Sequence, residues 1–128
     1  NAGLGEIFEI RLAGNVIDVD VLGTLEDGVE HLGAPLIVVM GHENCGAVTA
    51  EYNRINNHEE IGGHIEDLAD KIESSVVDSN SIDEAIQKHV DYVLEEIKKD
   101  EHIQELVESG QVKVVGAYYY LDGTVEFK

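Results

Sequence analysis

Hydrophobic and polar positions follow two different periods along the chain, and this predicts strands and helices in turn. The run LIVVM at 36–40 is short, continuous and β-branched, which favours a strand covered on both faces. The preceding segment, 18–33, predicts a helix that Asp18 or Asp20 can cap and Gly33 can end, because its apolar residues recur every three or four positions. Those residues are Leu22, Leu25, Val29 and Leu32.

Three further segments of the first 100 residues carry element signals. EIFEIRLA at 6–13 mixes apolar residues with three charges and predicts a strand. A helix is predicted after Gly62-Gly63, followed by a polar connection over 74–80. Ser81 and Glu84 then match a capping box that opens a long helix with one apolar face. That face consists of Ile82, Ile86, Val90, Val93 and Ile97.

The last part of the chain predicts a short helix, HIQELVESG, and then two strands. QVKVVGAYYYL and TVEFK are the strand candidates, and the Asp122-Gly123 pair between them is a strong hairpin signal. Strands that alternate with helices predict a single α/β domain over 1–128, with three layers and a mainly parallel sheet flanked by helices. The C-terminal strand is expected to be an antiparallel edge strand.

Charge and cysteine content narrow the choice of partners and compartment. The 27 acidic and 8 basic residues give a net charge of −19, which would repel nucleic acid and anionic lipid surfaces. No apolar run is long enough to span a bilayer. A single cysteine cannot form an internal disulfide, so the reducing cytoplasm is the expected compartment.

The segment GHENCGAV at 41–48 places His42 and Cys45 three residues apart, directly after the predicted strand. In open α/β sheets, ligands bind beyond the carboxyl ends of the strands. Imidazole and thiolate are good Zn²⁺ ligands, and a helix beginning at Cys45 would favour the thiolate. Two other interpretations stay open: a loop histidine beside a small buried cysteine, or a Cys-His nucleophilic pair.

A longer stretch around this pair resembles a known family. FEIRLAGN, followed by a helix and then by HLGAPLIVVMGHENCGA, is similar to the β-class carbonic anhydrases, whose pattern includes F-x-x-R-x-A-G-N and G-H-x-x-C-G-A. VKVVGAYYYLDGTVEF also resembles the closing strand pair of that family. The resemblance implies a zinc-dependent lyase, a carbonate dehydratase that reversibly hydrates carbon dioxide to bicarbonate by attack of a zinc-bound hydroxide.

The resemblance also implies roles for individual residues. His42 and Cys45 would be two of the three protein ligands of the zinc ion, and the Gly46 amide would face the bound bicarbonate or hydroxide. Arg11 would lie near an anion pocket, although a salt-bridging role in its strand explains it equally well. Gly14 and Gly41 are interpreted as positions where a side chain would clash. A homodimer or higher even oligomer is implied.

One part of the family pattern has no match in these 128 residues. The first zinc ligand of the family is a cysteine in a Cys-x-Asp-x-Arg motif, which precedes the F-x-x-R strand and lies on a central strand. The expectation is therefore a domain that lacks its N-terminal arm and first, central strand and belongs to a larger enzyme. The alternatives are a non-catalytic dimerisation or binding module, and a relative acting on another substrate such as carbon disulfide.

Overall fold

A three-stranded mixed sheet forms the centre of the computed structural model, which describes residues 2–128. Its strands are β1 (Leu36–His42), β2 (Lys113–Tyr119) and β3 (Val125–Phe127), in the order β1-β2-β3. β1 and β2 are parallel, whereas β2 and β3 are antiparallel. The Asp122-Gly123 hairpin is confirmed: Gly123 has a φ of 93°, and the Tyr120 amide donates to the Thr124 carbonyl at 2.8 Å.

Five α-helices and one 3-10 turn complete the structure over the described residues. The turn covers Ala13–Asn15, and the helices are α1 (Val19–Glu30), α2 (Gly46–Asn57), α3 (Ile65–Val76), α4 (Ile82–Lys98) and α5 (Glu101–Glu108). Of the two caps proposed for α1, Asp18 is the correct one: its carboxylate accepts from the Val21 amide at 2.8 Å. Ser81 caps α4 as predicted, accepting from the Glu84 amide at 3.1 Å. The α/β class, with helices flanking a mixed sheet, is confirmed.

Helix α4 packs directly on one face of the sheet, and glycines in the strands permit this close approach. A Cβ atom at Gly41 would lie 2.7 Å from Val90 Cγ2, and one at Gly116 would lie 2.9 Å from Leu94 Cδ1. Both distances are shorter than any normal carbon contact, so a side chain at either position would push the helix off the sheet. The interpretation of Gly41 as a close-approach residue is confirmed.

The other face of β1 is more open than its sequence predicts. Leu36, Val38 and Met40 point away from α4 and are 48%, 38% and 42% exposed, while Ile37 and Val39 are buried. The expectation of cover on both faces is therefore not met among residues 2–128, because no described element packs fully over this side. No helix in the described part of the chain is long and apolar enough to cross a bilayer.

Two element predictions are wrong. Residues 6–13 form no strand: the segment pairs with no described strand, and its Phe8 ring packs instead on α1, where a Cβ at Gly28 would lie 3.0 Å from Phe8 Cδ1. The polar connection predicted from residue 74 begins later, because α3 continues to Val76. Ser75 and Val76 are buried there, so packing against the core outweighs the polar character of the two serines.

Candidate metal centre

The carboxyl end of β1 leads through a tight turn into α2, and this turn holds the two predicted ligands. His42 is the last residue of β1 and pairs in register with Tyr119 of β2. The Glu43 amide continues the ladder by donating to the Tyr119 carbonyl at 2.9 Å. Asn44 then adopts a left-handed conformation with φ of 58°, and Cys45 becomes the N-cap of α2. The helix on which the preference for a thiolate depends is therefore present, with Cys45 as its N-cap and Gly46 as its first residue.

His42 presents one ring nitrogen outward. Its Nδ1 lies 2.9 Å from the Glu43 carbonyl oxygen, which can only accept, so Nδ1 carries the proton of the neutral ring and donates. The lone pair is then on Nε2, and the side chain is exposed. A backbone carbonyl that fixes the tautomer in this way is the usual support of a metal-binding histidine.

The backbone of Cys45 is held by the first turn of α2. Its carbonyl accepts from the Thr49 amide at 3.0 Å and from Thr49 Oγ1 at 2.7 Å, so the N-cap backbone is fixed by two bonds. The residue is 4% exposed and belongs to an apolar cluster with Val48 and Ile72. Gly46, the first residue of the helix, has open space where a Cβ would stand. Its amide has no intrahelical acceptor, because it lies in the first turn.

An open cleft lies beside Gly46 on the α4 side of the sheet. It is lined by Glu43, Asn44, Gly46, Thr49, Ile82, Asp83, Ile86 and Tyr118. The Tyr118 hydroxyl donates to Asp83 Oδ1 at 2.6 Å, and burial together with this carboxylate raises the pKa of Tyr118. Tyr118 is therefore a neutral donor. No sequence pattern indicates this pair, because 35 residues separate its members and neither belongs to a recognisable motif.

The A-G-N turn, Ala13–Asn15, packs against α2 and α3. Gly14 has a φ of 67°, and a Cβ on it would lie 2.7 Å from Ile72 Cδ1 and 3.1 Å from the Ala47 Cβ. This confirms that Gly14 is required by backbone geometry and close packing. Arg11, three residues earlier, is different: its side chain is 88% exposed and lies 3.9 Å from Glu9. Among the described residues it makes no hydrogen bond or ion pair with His42 or Cys45.

The donor set at this site fits zinc in part. A neutral imidazole with a free Nε2 and a cysteine at a helix N-terminus are suitable ligands. Among residues 2–128 no group of three or more histidine, cysteine or carboxylate side chains is close enough to hold a metal ion. His42 and Cys45 therefore provide two donors, and a complete catalytic zinc site normally needs three from protein.

The remaining histidines fall into two classes. His31 and His102 are exposed and lie 2.9 Å from Asp27 and Glu30, whose carboxylates raise their pKa values. His58 and His64 are exposed as well. His89 is 1% exposed and lies in the core. None of these side chains has a described contact with His42 or Cys45.

A buried ion pair holds α2 against α3. Glu51 is 0% exposed, and Arg54 one turn later donates through Nη2 to its Oε1 at 2.9 Å and to Asp70 of α3 at 3.0 Å. Burial, the largest influence, raises the pKa of Glu51, and the guanidinium of Arg54 opposes this. Sequence reasoning missed this cluster: the i, i+3 spacing of Glu51 and Arg54 is visible, but nothing marks the carboxylate as buried.

Comparison with known proteins gives concordant results. The family model described as carbonic anhydrase matches residues 1–125. Carbonic anhydrase 2 of Mycobacterium tuberculosis is 39% identical over 126 residues, which cover 94% of this chain and 61% of that relative. The solved β-carbonic anhydrase CcaA superposes with a TM-score of 0.85 at 21% identity, covering 98% of this chain and 68% of that one. A structure from Sordaria macrospora, described as a tetrameric β-carbonic anhydrase, also gives 0.85, at 18% identity, with coverages of 98% and 69%. The two structures support the fold alone.

Proposed function

Because the chain belongs to the β-class carbonic anhydrase family, we propose that the protein reversibly hydrates carbon dioxide to bicarbonate with a zinc ion that His42 and Cys45 help to hold. The observation that carries this proposal is the geometry of the β1–α2 turn. It presents an imidazole with a free Nε2 and a cysteine at a helix N-terminus, three residues apart. A histidine and a cysteine in such an arrangement are suited to zinc and have no evident structural need for that spacing.

Several residues of the chain would orient the zinc ligands or bind an anion beside the ion. The Glu43 carbonyl orients His42, and the two bonds from Thr49 fix the backbone of Cys45. The Gly46 amide, with open space before it, would donate to an anion such as bicarbonate. Arg11 would add positive charge at the anion pocket, which requires its exposed side chain to leave Glu9. Zinc, when bound, supplies the Lewis acidity that makes water a nucleophile near neutral pH, and carbonic anhydrase is the general example of this effect.

The third protein ligand is part of the proposal. The family resemblance assigns it to a Cys-x-Asp-x-Arg motif, and Cys45 is the single cysteine of these 128 residues. The chain spans 61% of the length of the mycobacterial relative, so there is room in proteins of this family for a ligand beyond the matched region. We therefore propose that His42 and Cys45 complete a site whose remaining ligand that motif provides.

The test is zinc content and carbon dioxide hydration of the protein purified with its full native sequence. We expect one zinc per chain and hydration activity in the wild type, and loss of both in His42→Ala and Cys45→Ser. His64→Ala is the matched control, because His64 is an exposed histidine in the loop before α3 and should leave zinc and activity unchanged. A folded wild type that carries no zinc would contradict the proposal and favour a non-catalytic binding module. Zinc-dependent turnover of carbon disulfide without hydration of carbon dioxide would favour the other substrate.

Assembly and compartment are proposed on separate grounds. The half-exposed strip formed by Leu36, Val38 and Met40 has the apolar character of a subunit contact, and one structural neighbour is described as tetrameric. We propose a homodimer or higher even oligomer. Sedimentation equilibrium would test this by comparing the wild type with Val38→Glu. A wild type that is monomeric at all concentrations would contradict it. The one cysteine of these 128 residues can form no disulfide within them, which supports a reducing compartment such as the cytoplasm.

A further inference from the structure

His89 is a titratable group in the core that the proposed chemistry does not use. It lies in the middle of α4 and is 1% exposed. Its Nδ1 is 3.1 Å from the Oγ of Ser75 on α3, and its ring stacks on Tyr92 with 6.0 Å between ring centres. A histidine used only for packing needs no such polar partner, so the Ser75 hydroxyl defines a specific ring orientation.

The imidazole also lies against the A-G-N turn. The Gly14 backbone is near enough to raise the pKa of His89, while burial, the larger effect, lowers it. Nevertheless, His89 Nε2 makes no aligned hydrogen bond among the described residues, and neither does the buried Nδ2 of neighbouring Asn15. The ring thus joins α3 and α4 to the turn through one firm bond and one weak contact.

Among the described residues, no charged side chain faces this ring to balance the positive charge of a protonated His89. From α3, the group that faces it is the neutral Ser75 hydroxyl; from the turn, the Gly14 backbone; and from α4 itself, the neutral Tyr92 ring. Asp78, Lys88 and Asp91 lie in the surface cleft outside Ser75 and Tyr92, and none of them contributes to the shift of the His89 pKa. An imidazolium at this position would be a buried charge without a counter-ion, which is costly.

We propose that His89 acts as a buried acid sensor, whose protonation reverses its hydrogen bond with Ser75, places an uncompensated charge in the core and loosens the Gly14–Asn15 turn from α2 and α3. A neutral Nδ1 accepts from the Ser75 hydroxyl, whereas a protonated Nδ1 can only donate, so the serine must turn its proton elsewhere. The turn is sensitive to this change because Gly14 is wedged between Ile72 and Ala47. Ala47 follows Cys45 by two positions, so a displacement of Gly14 would also displace the start of α2. The proposal does not depend on the bound metal or on the reaction.

The experiment is an NMR titration of the metal-free full chain between pH 8 and pH 5. The reporters are the ring carbons of the histidines and the backbone amides of Gly14 and Asn15. We expect these two amides to shift together with the His89 ring, at a midpoint below the ordinary histidine value. Ala47 is not used as a reporter because its position beside Cys45 exposes it to other titrations.

Two variants make the test specific. In His89→Gln the side chain keeps polar atoms but does not titrate, so the pH-dependent shift of Gly14 and Asn15 should disappear. His102→Gln removes an exposed histidine that contacts Glu30 and should leave that shift unchanged. Wild-type amides of Gly14 and Asn15 that do not change with pH would overturn the proposal, even if a variant fails to fold. So would a shift of the same size and midpoint in a folded His89→Gln protein.

Discussion

Glu51 and His89 are both ionisable side chains in the core, yet the protein accommodates them in opposite ways. Glu51 on α2 is matched by the guanidinium of Arg54, which also reaches Asp70 on α3. His89 joins α4 to α3 and is matched only by the neutral hydroxyl of Ser75. The first site has a counter-charge for an ionised side chain, and the second is suited to a neutral one. One site should therefore fail when its partner is removed, and the other when the pH falls.

The largest effect is expected from removing the partner of Glu51. Arg54→Ala leaves a buried carboxylate without its counter-charge, which should lower the free energy of unfolding by about 3–5 kcal/mol in urea denaturation. Lys99→Ala is the control, because Lys99 forms an exposed pair with Glu96 at 2.9 Å and should have little effect. The double replacement Glu51→Leu with Arg54→Met should recover most of the loss. An Arg54→Ala protein as stable as Lys99→Ala would show that this pair does not hold the helices together.

A smaller loss is expected at the histidine site. Ser75→Ala removes the hydroxyl that partners His89 Nδ1, and an unsatisfied buried polar group costs about 1–3 kcal/mol. Ser79→Ala provides the comparison, since Ser79 is also buried near the end of α3 but donates to the Ser75 carbonyl. Its loss should be the smaller of the two in parallel urea titrations. Equal losses would indicate that the bond to His89 contributes nothing beyond that of an ordinary buried serine.

The stability contributed by the two sites should depend on pH with opposite signs. Burial lowers the pKa of His89 in the folded protein, so below the ordinary value of 6.5 the unfolded chain takes up a proton first. The free energy of unfolding should therefore decrease as the pH falls from 6.5 towards the folded pKa of His89, by up to about 1.4 kcal/mol per pH unit. For Glu51 the raised pKa has the opposite effect, because stability is then lost as the pH rises from 4.5 through the folded value. His89→Gln should flatten the slope just below pH 6.5, and an unchanged slope in urea melts at each pH would contradict this assignment.

The smallest effect should come from the exposed pair of His102 and Glu30. Glu30 raises the pKa of His102, so the contribution of this pair is present below 6.5 and is lost as the pH rises through the folded value. His102→Gln should remove a shallow dependence of opposite sign to that of His89. Melting temperatures measured between pH 6 and pH 8 would show it, and 0.5 M salt should abolish the difference between the variant and the wild type.

Local signals were sufficient for most of the elements. Asp18 and Ser81 cap the helices that follow them, and Asp122-Gly123 makes the hairpin, because each of these features depends on a few adjacent residues. The turn carrying His42 and Cys45 was also predictable, since a buried strand followed by this motif fixes where the chain must turn. What the sequence could not predict depends on distant partners.

Three features illustrate that limit. Residues 6–13 have strand-like composition, but a strand exists only where a second strand pairs with it, and composition carries no information about pairing. Ser75 and His89 are 14 positions apart on different helices, so no spacing rule connects them. Glu51 has the residue type of a surface position and is buried all the same, because Arg54 bridges it to the next helix.

Cys45 is the only thiol among these 128 residues, and its near-complete burial at the start of α2 makes its reactivity a measure of local opening. Within these 128 residues a disulfide reagent in excess has no competing target, so the rate of its reaction with Cys45 reports how often this end of the helix leaves the core. Dividing that rate by the rate for an unfolded peptide gives the equilibrium constant of opening. One colourimetric trace for each variant would therefore report the local stability of the candidate metal centre at Cys45, without a structure of that variant.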